Sequence, residues 1–150
     1  MTLNELLTKQ NFLSKILLKS DSAELSKGLK IKVMSNRIEY AKVRKQFDED
    51  TQAFTRELTE GRFSELQQKA DKTEEENEEL KKLTEEVNST YMDYVNGKGL
   101  EEVTANEKKF TEEDFEEILE VNADNDVEIN GNKLNAADFL EIFYELFINE

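Results

Sequence analysis

The feature that most constrains this chain is a long stretch, residues 29–96, that has no proline and a single glycine, Gly61. Little in the stretch interrupts a helix, because proline and glycine are the strongest helix breakers. Core positions recur there at alternating steps of three and four, as in a coiled coil. One series is Leu29, Val33, Asn36, Tyr40, Val43, Phe47, Asp50 and Phe54; the other is Phe63, Leu66, Ala70, Thr73, Asn77, Leu80, Thr84, Val87, Tyr91 and Tyr94. The pattern predicts an antiparallel coiled-coil hairpin over residues 22–95 that turns at Gly61. A single unbroken helix pairing with a second chain is the alternative, because one glycine costs a helix only about 1 kcal/mol.

The charge distribution favours the hairpin. The chain carries a net charge of −15, yet residues 27–45 hold seven basic residues and one acid. Residues 46–150 hold ten basic residues and thirty-one acids. A turn centred on Gly61 places basic side chains of the first arm opposite acids of the second, in the pairs Lys42 with Glu79, Lys45 with Glu76, and Arg37 with Glu85. We therefore expect the basic segment to pair within the chain.

Helix starts are marked by residues that cap the first turn. The spacing of a capping box predicts helix starts at Thr2 with Glu5, Asp21 with Glu24, Thr111 with Asp114, and Asn135 with Asp138. The first of these begins an opening helix. Asn96–Gly99 ends the hairpin, and we expect a helical region at residues 1–98 and a small α+β cap at residues 99–150.

The cap contains a turn signal and an incomplete calcium loop. Asn130-Gly131 lies between alternating residues and predicts a β-hairpin. A calcium loop that starts at Asp126 has Glu128 and Asn130 in ligand positions, but Ala137 stands where a bidentate glutamate is needed. We predict a polar turn without metal. The predicted fold class is mostly α: an opening helix, a long helical hairpin and a small C-terminal cap.

The last helix is the predicted contact surface. Only Glu141 and Glu145 are polar between Phe139 and Ile148, so most of the helix circumference is apolar. Such a surface needs either the opening helix or a partner to cover it. The candidate partner-binding residues are Phe139, Ile142, Phe143, Tyr144, Leu146, Phe147 and Ile148.

Several classes of function are disfavoured by composition. The chain has no histidine and no cysteine, so the common neutral-pH base and thiol nucleophile are missing. We predict a non-enzymatic protein with no catalytic residue, cofactor or metal. No N-terminal run is long and apolar enough to span a membrane, and we expect a cytoplasmic location. The acidic run at residues 74–79 supports a second hypothesis, mimicry of nucleic acid, because it carries five carboxylates along roughly 7.5 Å of helix.

The order of elements resembles a loose group of small acidic proteins encoded by tailed bacteriophages. The shared features are Gln10–Leu13 in an opening helix, the lysine-rich helix at residues 26–45, a long acidic helix, and Val127–Gly131 before an apolar helix. The resemblance implies a virion component, an assembly accessory or a host-takeover protein, and no functional residue is carried over.

The predicted function is a protein–protein interaction module in such an assembly, located in the host cytoplasm or the virion. The expected partners are a basic protein surface, a larger assembly or a second copy, and direct binding of nucleic acid or membrane is not expected. The alternative is an acidic inhibitor that blocks a host nucleic-acid-binding protein.

Overall fold

The computed structural model describes residues 1–149, which form six helices and one two-stranded antiparallel sheet. The mostly helical class, the long helix and the small sheet near the C-terminus are confirmed. In chain order the elements are α1 (Leu3–Ser14), α2 (Lys27–Thr59), α3 (Arg62–Gln68), α4 (Glu74–Gly99), α5 (Glu112–Asn122), β1 (Val127–Ile129), β2 (Asn132–Leu134) and α6 (Ala136–Phe147). Within this range no helix combines the length and apolarity that a membrane span requires.

The chain divides into two compact units, each of which is described separately. The first unit comprises residues 1–44 and 103–150, and the second comprises residues 45–102. Helix α2 contributes to both. The sequence predicted a boundary at residue 98, with residues 1–98 and 99–150 as its two regions. That division stays a prediction, and the compact units group the chain differently by placing the opening helix with the C-terminal elements.

The core of the first unit is built from α1, the first half of α2, α5, the hairpin and α6. Helix α1 starts at the predicted capping box, in which the Glu5 backbone N–H donates to Thr2 Oγ1 at 3.3 Å. The predicted seam on α2 is buried here at its first four positions, Leu29, Val33, Asn36 and Tyr40. Leu29, Val33 and Tyr40 pack in one cluster with other apolar side chains of this unit, including Leu6, Leu13, Phe110, Ile118, Phe139 and Phe143. The seam is therefore a core face, as predicted, but its partners lie at the two ends of the chain.

A buried asparagine and a half-buried arginine hold the irregular segments of this unit. The Asn36 side chain accepts from the Lys108 backbone N–H at 2.7 Å and donates to the Lys108 carbonyl at 2.8 Å. The Arg37 guanidinium donates to the carbonyls of Leu13 and Ile16, at 2.9 and 2.7 Å from Nη2. Both carbonyls lie at or just beyond the end of α1, where helical partners run out. Arg37 therefore ties the end of α1 to α2.

The predicted pairing of the basic segment with the acidic arm is wrong. Lys42 pairs with Glu39 at 2.6 Å, and Lys45 pairs with Glu49 at 3.8 Å, both within α2. Glu79 instead pairs with Arg62 at 2.8 Å, and Glu76 with Lys69 at 2.5 Å. Arg37, predicted opposite Glu85, bonds to backbone carbonyls in the first unit. On a helix, side chains three or four residues apart lie close together. These two lysines therefore pair with acids of their own helix and not with the acids that the predicted hairpin register places opposite them.

An antiparallel helical pair exists in the second unit, but its register differs from the prediction. The rings of Phe54 and Tyr94 stack with centroids 4.1 Å apart. A turn centred on Gly61 would have placed Phe54 opposite Gln67. The register is longer because the connection is not a simple turn: Gly61, with φ at 74°, is followed by α3 and then by a non-helical segment, residues 69–73.

Two helix boundaries differ from the predictions, and both involve capping signals. Thr73, assigned to the second seam, is instead the N-cap of α4, where it forms a capping box with Glu76. The predicted start at Asp21 and Glu24 is wrong, because residues 19–24 form a turn in which Lys19 and Glu24 make an isolated β-bridge. Helix α2 begins at Lys27. Complete capping boxes are thus present at three helices, α1, α4 and α5, while α6 has a one-way cap from Asn135, and one of the four predicted positions does not start a helix.

The cap of α4 predicts a specific titration. The Lys69 ammonium, together with the Thr73 backbone N–H and hydroxyl, lowers the pKa of Glu76 from 4.5 to about 2. Since the pKa of the folded state is depressed, the stabilising contact is present above pH 4.5 and is lost as the pH falls through about 2. We expect Lys69→Met to return the Glu76 pKa part of the way to 4.5, as measured by carboxyl NMR titration. Lys72→Met is the matched control, because Lys72 donates to the Lys69 carbonyl instead, and an equal shift in both variants would contradict the assigned contact.

Candidate functional site

The residues predicted to bind a partner are divided by the structure into core and surface. Phe139, Phe143 and Phe147 are buried in the core of the first unit. Leu146 and Ile148 are half-buried against the same core, and Tyr144 is also half-buried. Ile142 is the one side chain of the set that is exposed, at 38%. The predicted set therefore does not form one continuous contact surface.

The cover over α6 comes from the opening helix, which was one of the two outcomes that the sequence left open. The rings of Phe12 and Phe139 stack with centroids 5.5 Å apart. The Lys9 ammonium lies 5.5 Å from the centroid of the Phe147 ring, and Phe110 packs edge-on against the same ring at 5.6 Å. The aromatic residues of α6 therefore mainly stabilise the fold.

An apolar groove remains open between α5 and α6. It has a volume of about 350 Å³ and is lined by Phe115, Leu119, Ala137, Leu140, Glu141 and Tyr144. Leu119 is 47% exposed at its edge. The side chain of Ala137 is small, so the backbone of α6 comes close to the groove surface there. An open apolar groove between two helices can bind the apolar face of a third helix.

One end of the groove is held by a hydrogen-bonded tyrosine. The Tyr144 hydroxyl donates to Glu112 Oε1 at 2.5 Å, and the Tyr144 ring packs edge-on against Phe115 with centroids 5.0 Å apart. The hydrogen bond to Glu112, with burial and the negative charge of Glu112 adding to it, raises the pKa of Tyr144 above 10. Tyr144 therefore stays neutral at physiological pH, and its side chain bridges α6 and α5 at this end of the groove.

The two helices that form the groove carry only negative charge. Helix α5 contains six acidic residues and α6 contains three, and neither contains lysine or arginine. Glu116, Glu120, Glu141 and Glu145 are exposed on these helices. Lys32 on α2 pairs with Asp114 of α5, and Lys9 on α1 lies over Phe147 of α6, but neither lysine lines the groove. The groove thus combines an apolar floor with an acidic rim, which is complementary to an apolar and basic surface.

A second exposed apolar surface lies in the same unit, on the outer face of α2. Ile31, Met34 and Ile38 are 50–56% exposed. They recur at steps of three and four, on the face of α2 opposite the buried Val33. Lys27 precedes this stripe by four residues and Lys42 follows it by four, and both are exposed on the same face. We call these five residues the outer stripe of α2.

Neither the groove nor the outer stripe is predicted in the sequence analysis above, although the spacing of apolar residues on α2 indicates the stripe. Ile31, Met34 and Ile38 form a second helical series on α2, in addition to the seam, and two apolar faces on one helix indicate two contacts. The groove could not be found in this way, because it requires the packing of α5 against α6. In α5, Ile118 is fully buried, and the neighbouring apolar residue Leu119 lies on a different face of the helix.

Within residues 1–149, no group of three or more acidic side chains is placed to hold a metal ion. Asp126, the first residue of the incomplete calcium loop, accepts a hydrogen bond from the Ala136 backbone N–H at 2.9 Å and so supports the start of α6. The hairpin turns at Asn130 and Gly131, which have φ values of 51° and 79°, as predicted.

No protein-family model, curated protein or solved structure matches the chain.

Proposed function

We propose that this protein is a non-enzymatic protein–protein interaction module that binds a basic amphipathic helix in the groove between α5 and α6. The observation that carries the proposal is the apolar groove enclosed by two helices without a single basic residue. Apolar contacts supply the affinity of such a site, and the acidic rim selects partners with lysine or arginine beside their apolar residues.

The partner has defined chemistry. A helix presenting apolar residues at steps of three and four fills the groove above Leu119 and Leu140. Its basic residues then meet Glu116 and Glu120 on one side and Glu141 on the other. The net charge of −15 attracts basic partners over a longer range and raises the rate of encounter.

The setting of this interaction is proposed from the order of elements. We propose that the module acts in a phage as a structural or assembly accessory protein, and the resemblance to small acidic phage proteins is what supports this setting. Neighbouring head or tail genes would support that setting, whereas neighbouring early genes would favour a protein that acts on the host.

Mimicry of nucleic acid is the weaker alternative. It relies on the carboxylates at residues 74–79, but Glu76 and Glu79 of this run are paired with Lys69 and Arg62. Ion pairing lowers the charge density that a mimic needs. This alternative predicts that duplex DNA competes with the protein for a basic nucleic-acid-binding partner, and that Glu74→Gln with Glu75→Gln weakens the binding.

The groove is tested with a synthetic helical peptide that carries leucine at steps of three and four and lysine elsewhere. We expect Leu119→Lys to weaken peptide binding by about 10- to 100-fold, because it removes an apolar contact and adds a repelling charge. Fluorescence anisotropy measures the affinity at an ionic strength of about 0.15 M.

Leu100→Lys is the matched control for this experiment. It makes the same chemical change at a side chain that is 72% exposed in the second unit, so both variants have the same net charge. Equal binding by both variants would mean that the peptide follows overall charge and not the groove, and the proposal would fall.

A further inference from the structure

We infer that the outer stripe of α2 from a second copy of this chain occupies the groove between α5 and α6. This inference rests on the proposed function and names the partner. Both surfaces belong to the first unit, and both are exposed in a single chain. Neither surface covers the other within that chain, so any pairing of the two joins different copies.

The two surfaces match in shape. Ile31, Met34 and Ile38 occupy one side of a regular helix, and the axial distance from the first to the last is about 10 Å at 1.5 Å per residue. Helices α5 and α6 have 11 and 12 residues, so they are about 17 and 18 Å long. The residues that line the groove span about 10 Å of α6, from Ala137 to Tyr144, so the apolar part of the stripe is about as long as the groove.

The two surfaces also match in charge. Lys27 and Lys42, the latter also paired with Glu39, lie about 22 Å apart along α2, so each lies about 6 Å beyond an end of the groove lining when the apolar residues are centred in it. The acids exposed on the two helices that form the groove include Glu116, Glu120, Glu141 and Glu145. The stripe is one of the few apolar and basic helix faces in a strongly acidic chain, and the groove is apolar and acidic.

The contact is heterologous, because a different surface is used on each copy. Repeating it leads to a ring or an open chain of copies, whereas an isologous dimer would end at two. The contact is also small, below the roughly 1,200 Å² of total buried area typical of stable complexes. We therefore expect association at roughly 0.1–1 mM protein, and more strongly when copies are concentrated in an assembly.

The dependence of affinity on salt concentration distinguishes this contact between copies from the binding of a basic peptide. Two copies with a charge of −15 repel each other at long range, and this repulsion is screened when the Debye length falls to about 8–10 Å. Association of copies should therefore strengthen from about 0.01 M to about 0.15 M salt. Peptide binding should weaken over the same range, since its long-range electrostatics are attractive.

The decisive test is a complementation experiment monitored by sedimentation equilibrium. One variant carries Met34→Glu with Ile38→Glu and so lacks the stripe, and the other carries Leu119→Lys and so lacks the groove. We expect the unmodified chain to form species larger than a dimer and each variant to stay at 17.5 kDa. An equimolar mixture should give particles of twice that mass and nothing larger, because one intact stripe meets one intact groove.

The controls are Met92→Glu and Leu100→Lys, which alter exposed apolar residues of the second unit and should leave self-association unchanged. An unmodified chain that stays at 17.5 kDa up to 1 mM would overturn the inference, and so would variants that still associate alone or a mixture that does not associate. If the unmodified chain stays monomeric but binds the leucine–lysine peptide in a Leu119-dependent way, only self-pairing falls. If it does neither, the proposed function falls as well.

Discussion

Replacing Phe143 with alanine should lower the free energy of unfolding of the first unit by about 3–5 kcal/mol. The side chain is fully buried, and its ring lies within 6.5 Å of four other rings, those of Phe110, Phe115, Phe139 and Phe147. Removing it deletes buried apolar area and leaves a cavity that rigid aromatic neighbours cannot easily fill. Because a domain of this size is stable by only about 5–15 kcal/mol, the loss is a large fraction of the total.

The measurement is urea unfolding followed by NMR signals of α5 and α6, which report on the first unit alone. Ile142→Ala is the matched control, since this neighbouring side chain is 38% exposed and should cost less than about 1.5 kcal/mol. If Phe143→Ala unfolds at the same urea concentration as the unmodified chain, Phe143 is not a core residue. The hypothesis that α6 is an external contact surface would then return.

The local structure could be predicted wherever a short pattern decides it. Thr2, Thr111 and Asn135 were recognised as helix starts because the hydrogen bonds of a cap join residues three positions apart. Asn130-Gly131 predicted the hairpin because both residues tolerate a positive φ. Thr73 has the same signature with Glu76, but it also falls on the heptad spacing, which predicts a seam position. A complete capping box is the stronger signal, because a threonine in a weak seam has little apolar area to bury.

The long-range arrangement could not be predicted, because the seam on α2 does not specify what it packs against. Leu29, Val33 and Tyr40 need an apolar partner, and the second seam was the nearest candidate along the chain. The structure instead supplies α1, α5 and α6, which lie before and after the predicted hairpin. Asn36 illustrates the difference. In a coiled coil it would be a polar residue that sets the register, whereas here it binds the backbone of Lys108 in the segment before α5.

The candidate site depends on this arrangement. The sequence indicates that α6 is apolar on most sides; in the structure α1 packs on Phe139, Tyr144 packs on α5, and Ile142 stays exposed. What stays open is the narrow gap toward α5, at Leu119 and Ala137. The two surfaces proposed to meet are therefore those left after the ends of the chain have packed together.

The joining of these ends depends on Asn122, and Asn122→Ala should lower the free energy of unfolding by about 2–4 kcal/mol. The fully buried side chain accepts from the Leu17 backbone N–H at 2.8 Å and donates to the carbonyls of Leu17 and Ile118 at 3.2 and 2.9 Å. Alanine removes these three bonds, and a fourth accepted from Asn125 Nδ2 at 2.9 Å, and it leaves the part-buried backbone N–H and carbonyl of Leu17 without these partners. Asn125→Ala is the control, because it removes the Asn125 bonds to the Lys15 carbonyl and to Asn122 Oδ1 but leaves the three bonds between Asn122 and the backbone in place, and it should cost only about 1 kcal/mol. Hydrogen exchange provides the second measurement: opening of the segment that follows α1 should become easier in Asn122→Ala than in Asn125→Ala. Equal protection in both variants would show that Asn122 does not hold the opening helix against α5.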